Sequence, residues 1–175
     1  MIADIYKRNK PLINSILTGL FYFIFCWSLN SGDQTSLLFM ILMQFLPGLT
    51  FPLTTCYFTL DNTKNKDKNK LLHLILSVGI YYGNVWLFSG EGRIKFITIL
   101  AGFVGSLFFQ IATKYLLKKN FNLVQITTVA ILSGLAFLPF EFNKGHVVFL
   151  GLAVFLWTII NGQLLNFEYR KTTYR

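Results

Sequence analysis

The side chains that most often carry acid–base, nucleophilic or metal chemistry are scarce in this 175-residue chain: two histidines, two cysteines and seven carboxylates. His73 and His146 each open a different apolar run, and a membrane reading puts them on opposite faces. Cys26 and Cys56 separate in depth in the same way, and a disulfide needs Cα atoms within about 7 Å. No Cys/His/carboxylate spacing matches a metal site. Asp4, Asp33, Asp61, Asp67, Glu91, Glu141 and Glu168 all lie at or beyond the ends of the apolar runs, whereas intramembrane proton relays hold acids or histidines within them. No serine or cysteine shares a depth with a histidine, so a nucleophile would lack its base. The residues argue against an enzyme, and no cofactor or metal is expected.

What remains is amides and hydroxyls, whose chemistry is hydrogen bonding. Gly102, Ser106, Gln110 and Lys114 recur every fourth residue and form one small-to-polar stripe on a helix. Thr158, Asn161 and Gly162 share a face at matching depth on the last run, and Asn14, Thr18 and Thr54 fall in the same half of the molecule. Gln110 and Asn161 are expected to face the interior and either hydrogen-bond across helices or line a ligand site or pore. Lys114 is expected to snorkel to the surface.

The elements that must position these groups are membrane helices. The chain is 54% hydrophobic and only 13% charged, against about a quarter charged in soluble domains. Its charges cluster and leave six apolar runs, at roughly 12–29, 36–58, 71–88, 95–117, 122–140 and 147–165, each near the ~20 residues a bilayer demands. Barrel strands would alternate apolar and polar, and these runs do not. The expected fold is an all-α polytopic membrane protein, a single integral membrane domain over 1–175 built as three hairpins. Short glycine-containing turns (SGDQ, SGEGR, NKG) each join two antiparallel helices into a hairpin, and the Asn/Lys-rich stretch 61–70 reads as a flexible cytoplasmic linker.

With both termini cytoplasmic, all of the 16 basic residues except Arg93, Lys95 and Lys144 fall inside. That is the positive-inside bias, and it favours six spans over five or seven. The net charge of +9 is thereby topogenic. Its expected partners are anionic lipid headgroups at the cytoplasmic face, with no nucleic acid. The location read from this is the cytoplasmic membrane of a bacterium. The basic start and first apolar run resemble a signal peptide, but the run is long, aromatic and without an A-x-A site, so it is read as a retained first span.

One stretch breaks the pattern. QFLPGLTFP, residues 44–52, puts Pro47, Gly48 and Pro52 inside the second run. A proline removes a helix hydrogen bond, and in lipid the freed carbonyl must find another donor. Thr50, Thr54 and Thr55 are placed to supply hydroxyls. A kink or break at Pro47–Gly48 is expected, either as a packing device or as the floor of a site of the kind that discontinuous helices mark in transporters.

By depth, polar residues crowd the cytoplasmic half. Aromatic rings (Phe21, Tyr22, Phe23, Phe25, Trp27, Tyr81, Tyr82, Trp86, Phe137, Phe140) crowd the outer half, where they would plug the bundle. Trp27, Trp86, Tyr57 and Tyr115 also fall near span ends, where aromatic belts form. Gly79 and Gly83, and Ala101 and Gly105, are small-xxx-small pairs for close helix packing within the chain or between subunits. The leading functional expectation is a small transport-type protein that holds a neutral or amphipathic solute or lipid in a cytoplasm-facing polar cavity. The alternatives are a homo-oligomeric pore or membrane-perturbing effector, and an accessory scaffold that binds a partner membrane subunit.

Overall fold

The computed structural model describes residues 2–29, 43, 46–57, 67–88, 96–143 and 146–173. Gln44, most of the first half of the expected second span, residues 61–66 and most of the three turns lie outside the described residues. Every regular element described is helical: α1 (Ile2–Arg8), α2 (Lys10–Ser28), α3 (Leu46–Pro52) running into a π-helical turn (Leu53–Tyr57), α4 (Asp67–Phe88), α5 (Ile97–Leu116), α6 (Leu123–Leu135), α7 (Leu138–Phe142) and α8 (Val147–Thr173). Among the described residues, four stretches are long and apolar enough to cross a membrane: Lys10–Ser28, Ile97–Leu116, Leu123–Phe142 and Val147–Thr173. At 1.5 Å per residue, about 20 residues span the roughly 30 Å of hydrocarbon.

Local sequence explains where these helices start. Pro11 sits in the first turn of α2, where its missing N–H costs nothing. Asn122 and Gln125 form a reciprocal capping box at α6: the Gln125 N–H donates to Asn122 Oδ1 at 2.7 Å, and the Asn122 N–H donates to Gln125 Oε1 at 3.0 Å. Phe96, the residue before α5, has a positive φ of 67° and no cap of its own. Glu141 of α7 supplies one instead, accepting the Thr98 N–H at 3.2 Å and the Thr98 hydroxyl. A carboxylate is well placed there, at the positive end of the helix dipole.

Two expectations are corrected. Helix α3 runs through Pro47 and Gly48 without a break; the departure from α-geometry comes after Pro52, as the π-helical turn 53–57. Proline in the first turn of the described helix is tolerated, whereas Pro52 sits inside it and withdraws a bond. Residues 67–70, read as the end of a flexible linker, form the first turn of α4, with Asp67 at the dipole's positive end and 3.8 Å from Lys70 Nζ.

The helices close into a ring in chain order. α2 packs on α3 and its π-turn, α3 on α4, α4 on α5, α5 on α6, α6 on α8, and α8 back on α2. Each neighbouring pair is antiparallel. On α2 and α8, for example, Ser15 meets Gly162 while Cys26 meets Gly151. The two described ends of the chain therefore lie at one end of the ring. The Tyr169 hydroxyl donates to the Lys7 carbonyl at 3.0 Å and Arg170 Nε to the Arg8 carbonyl at 3.4 Å.

Aromatic rings fill the middle of the ring, though not the ones expected. Phe51, Phe109 and Trp157 pack with centroids 5.2 to 6.2 Å apart. Below them, Cys56, Leu117, Phe121, Leu165 and Tyr169 are buried. Tyr22 and Phe140 are buried as expected, but Phe21, Trp27, Tyr82 and Trp86 point outward. The face of α2 that buries Ser15, Thr18, Gly19, Tyr22 and Cys26 necessarily turns Phe21 and Trp27 away, because these residues lie on the other side of a 3.6-residue period.

Candidate functional site

Asn161 of α8 is the centre of a fully buried polar cluster. Its Oδ1 accepts from the Ser106 hydroxyl and from Gln110 Nε2, both at 2.8 Å. Its Nδ2 donates to the Ser133 hydroxyl oxygen at 3.0 Å and to the Trp157 carbonyl at 2.9 Å. Three helices, α5, α6 and α8, thus meet on one carboxamide whose four hydrogen-bonding positions are all used. Ser106, Gln110, Ser133 and Asn161 are each 0% exposed. One atom is left over: Gln110 Oε1 is buried with no partner among the described residues. The fourfold spacing that put Ser106 and Gln110 on one face is the reason both reach Asn161.

A second cluster joins α2 to α3. Thr50 and Thr54 donate their single protons to the Leu46 and Thr50 carbonyls, both at 2.8 Å. Their oxygens must therefore accept from the neighbouring helix: Tyr22 donates to Thr50 Oγ1 at 2.8 Å, and Thr18 donates to Thr54 Oγ1 at 3.0 Å. Asn14 Nδ2 donates to the Thr54 carbonyl at 2.9 Å, inside the π-helical turn. The Thr50, Thr54 and Thr55 hydroxyls bond the Leu46, Thr50 and Phe51 carbonyls, and not, as was expected, the Met43 and Gly48 carbonyls for which Pro47 and Pro52 have no N–H. Thr158 joins neither cluster; its hydroxyl returns to the Phe155 carbonyl at 2.8 Å and packs on Gly19.

The prolines and glycines fall into place around these clusters. Pro47 has no N–H for the Met43 carbonyl four residues earlier; the Tyr81 hydroxyl of α4 takes that carbonyl at 2.8 Å. A Cβ on Gly48 would come within 2.8 Å of Tyr81 Cβ and 3.1 Å of Val78 Cα. Gly48 therefore serves close approach of α3 to α4 rather than loosening the chain. Of the small-residue pairs, Gly105 lies against Asn84, its imagined Cβ 3.3 Å from the amide nitrogen, while Gly79 and Gly83 meet nothing within 4 Å among the described residues. Ala101 is half-buried.

A third cluster had no counterpart in the sequence reading. His73 is 0% exposed. Its Nδ1 lies 2.7 Å from the Tyr57 hydroxyl and its Nε2 2.9 Å from the Thr113 hydroxyl. Tyr57 also contacts the Lys70 carbonyl at 2.7 Å, and Thr113 the Phe109 carbonyl at 2.8 Å. These are four short contacts, and a neutral imidazole with two hydroxyls offers three protons for them. The signal was available: in an antiparallel hairpin, His73 near the start of one span and Thr113 near the end of the next share a depth.

At the end of the ring that holds the termini, Glu168 is buried and accepts the Asn120 N–H at 3.2 Å. Burial lowers the pKa of the nearby half-buried Lys119 ammonium, while Cys56 and Glu168 pull it back up. Among the described residues no group of three or more His, Cys, Asp or Glu could hold a metal. The buried clusters brace neighbouring helices through hydrogen bonds between neutral groups. Comparison with protein-family models, characterised proteins and solved structures finds no match for this chain.

Proposed function

We propose that the chain is a six-span protein of transport type in a bacterial cytoplasmic membrane, with both termini cytoplasmic, which binds a neutral or amphipathic small solute or lipid in its polar half. The observation that carries this reading is the unpartnered Gln110 Oε1. In a cluster where Asn161 satisfies every one of its positions, a bare amide oxygen costs roughly 1–3 kcal/mol. A ligand hydroxyl or N–H would relieve that cost. Such a ligand is neutral at this point, because a buried unpaired charge is far more costly than a neutral group, and the cluster itself carries only amides and hydroxyls.

The six-span arrangement is supported by the closed ring of antiparallel neighbours and by α4, whose apolar part, 71–88, falls within the roughly 17–25 residues of a span. Lys7, Arg8, Arg170 and Lys171 share one end of that ring, in keeping with a positive-inside orientation.

A second reading, an accessory scaffold, is favoured by the completeness of the bonds around Asn161, which braces α5, α6 and α8 without any ligand. A pore lined by Gln110 and Asn161 draws no support from side chains that are 0% exposed within one chain. Native mass spectrometry of the protein released from a membrane mimic separates these readings. A monomer that retains one small molecule, and loses it on Gln110→Leu, supports the transport reading. An empty monomer that co-purifies with a defined membrane subunit supports the scaffold, and a discrete ring of empty copies supports the pore.

A further inference from the structure

We propose that the groove between α6 and α8, on the outer surface of the ring, binds one anionic phospholipid with an acyl chain along its apolar length and the phosphate at Lys171. The groove encloses about 510 Å³, within the range of ligand sites. It is graded along its length: Leu132, Ile159 and Ile160 line one part, and Gln125, Thr128 and Gln163 line the part nearer the end that holds the termini. Phe167 closes that end, with the Lys171 ammonium 4.2 Å from its ring centroid.

The polar side chains in the groove include unpaired donors. Gln125 spends its carbonyl oxygen on the Asn122 cap, which leaves its NH₂. The Thr128 hydroxyl and the Gln163 amide have no protein partner among the described residues. Unpaired donors facing hydrocarbon cost several kcal/mol each. Lipid ester and phosphate oxygens are acceptors, and they lie at the depth of the first turns of a span.

The charges agree with an anionic headgroup. The first turn of α6 carries no acidic side chain and directs the positive end of its dipole to the same place. The nearest carboxylate, Glu168, is only 4% exposed and is engaged by the Asn120 N–H, so it does not oppose an anion at the surface. This site needs the chain to span a membrane but does not depend on any ligand at Gln110.

The test uses the full chain in phosphatidylcholine nanodiscs containing a minority of phosphatidylglycerol, followed by native mass spectrometry after release into mild detergent. The expected result is one phosphatidylglycerol retained in preference to phosphatidylcholine. Lys171→Glu, at an exposed position, should lower that preference about tenfold, given about 1 kcal/mol per basic residue near the surface and the reversal of sign. Ile160→Trp should fill the groove and abolish retention of both lipids while circular dichroism stays unchanged. Retention that neither variant alters would overturn the proposal, as would a dimer of this chain that Ile160→Trp dissociates. Gln110 is untouched in both variants, so a parent chain that retains an internal solute but no phosphatidylglycerol overturns this site alone.

Discussion

The Tyr81 hydroxyl lies 2.8 Å from the Met43 carbonyl oxygen, the acceptor that Pro47, four residues later, cannot pair. The defect and its repair are on different helices, α3 and α4, so the proline makes α4 part of the internal bonding of α3. Tyr81→Phe should therefore destabilise the protein by about 1 kcal/mol, the usual size of one hydrogen bond between membrane helices. Pro47→Ala restores a backbone N–H that can take the same carbonyl. In that background Tyr81→Phe should cost only a few tenths of a kcal/mol, and a double-mutant cycle by unfolding in mixed micelles reads the difference. Equal costs in the two backgrounds would show that the hydroxyl and the proline are unrelated.

Asn161 and Gln110 are predicted to separate sharply although they touch. Asn161→Leu removes four hydrogen bonds and strands the Ser106 and Ser133 hydroxyls and the Gln110 amide in a buried cluster, a loss of about 3 kcal/mol. Gln110→Leu removes one bond and at the same time the unpartnered Oε1, so its stability should lie within about 1 kcal/mol of the parent. Thermal unfolding in detergent checks both. A Gln110→Leu protein as damaged as Asn161→Leu would mean that the Gln110 oxygen is paired in the working protein.

Much of this was legible in the sequence, and what was missed has a physical cause. Helix content, the location of most helices, and the inward faces of Gln110 and Asn161 followed from run length and fourfold spacing, which depend only on the chain itself. The direction of Phe21 and Trp27 did not, because depth along a span says nothing about rotation around it. That rotation is set by which residues pack most closely, here Ser15, Gly19 and Cys26 against Gly162, Thr158 and Gly151. The departure from α-geometry after Pro52, where a kink or break at Pro47–Gly48 was expected, has a related cause. Each proline removes one N–H, and only the tertiary setting shows which carbonyl finds a donor on another helix, as Met43 finds Tyr81. The His73 cluster is a between-helix fact: Tyr57, His73 and Thr113 are unremarkable in their own segments and meet only when three helices stand side by side.

The glycines divide by the same logic into those that permit contact and those that meet none. A Cβ on Gly162 would overlap the Ser15 side chain, and one on Gly151 would come within 2.6 Å of Cys26 Cβ. Gly162→Ala should push α2 from α8 and cost about 1–3 kcal/mol. A Cβ on Gly79 meets nothing within 4 Å, so Gly79→Ala should be neutral, or stabilising by up to about 1 kcal/mol through helix propensity. If Gly79→Ala instead destabilised the protein in a concentration-dependent manner, the GxxxG face would be a contact between copies of the chain.

In the proposed six-span arrangement, the antiparallel ring sets which exposed positions share a side of the membrane. Lys68 begins α4 at the end where Tyr57 meets Lys70 and His73. Thr172 ends α8, one turn beyond the Glu168–Asn120 contact. Phe142 ends α7, beside the start of α5, and is 72% exposed. The native thiols of Cys26 and Cys56 are both 0% exposed and give little background, so single cysteines at these three positions can be read with a membrane-impermeant maleimide. Lys68→Cys and Thr172→Cys should stay unlabelled in intact cells and react in inverted vesicles, as the excess of basic residues at that end requires. Phe142→Cys should show the opposite pattern. Labelling of Lys68→Cys and Thr172→Cys from different sides would require an odd number of crossings between them, and the six-span arrangement would have to be abandoned.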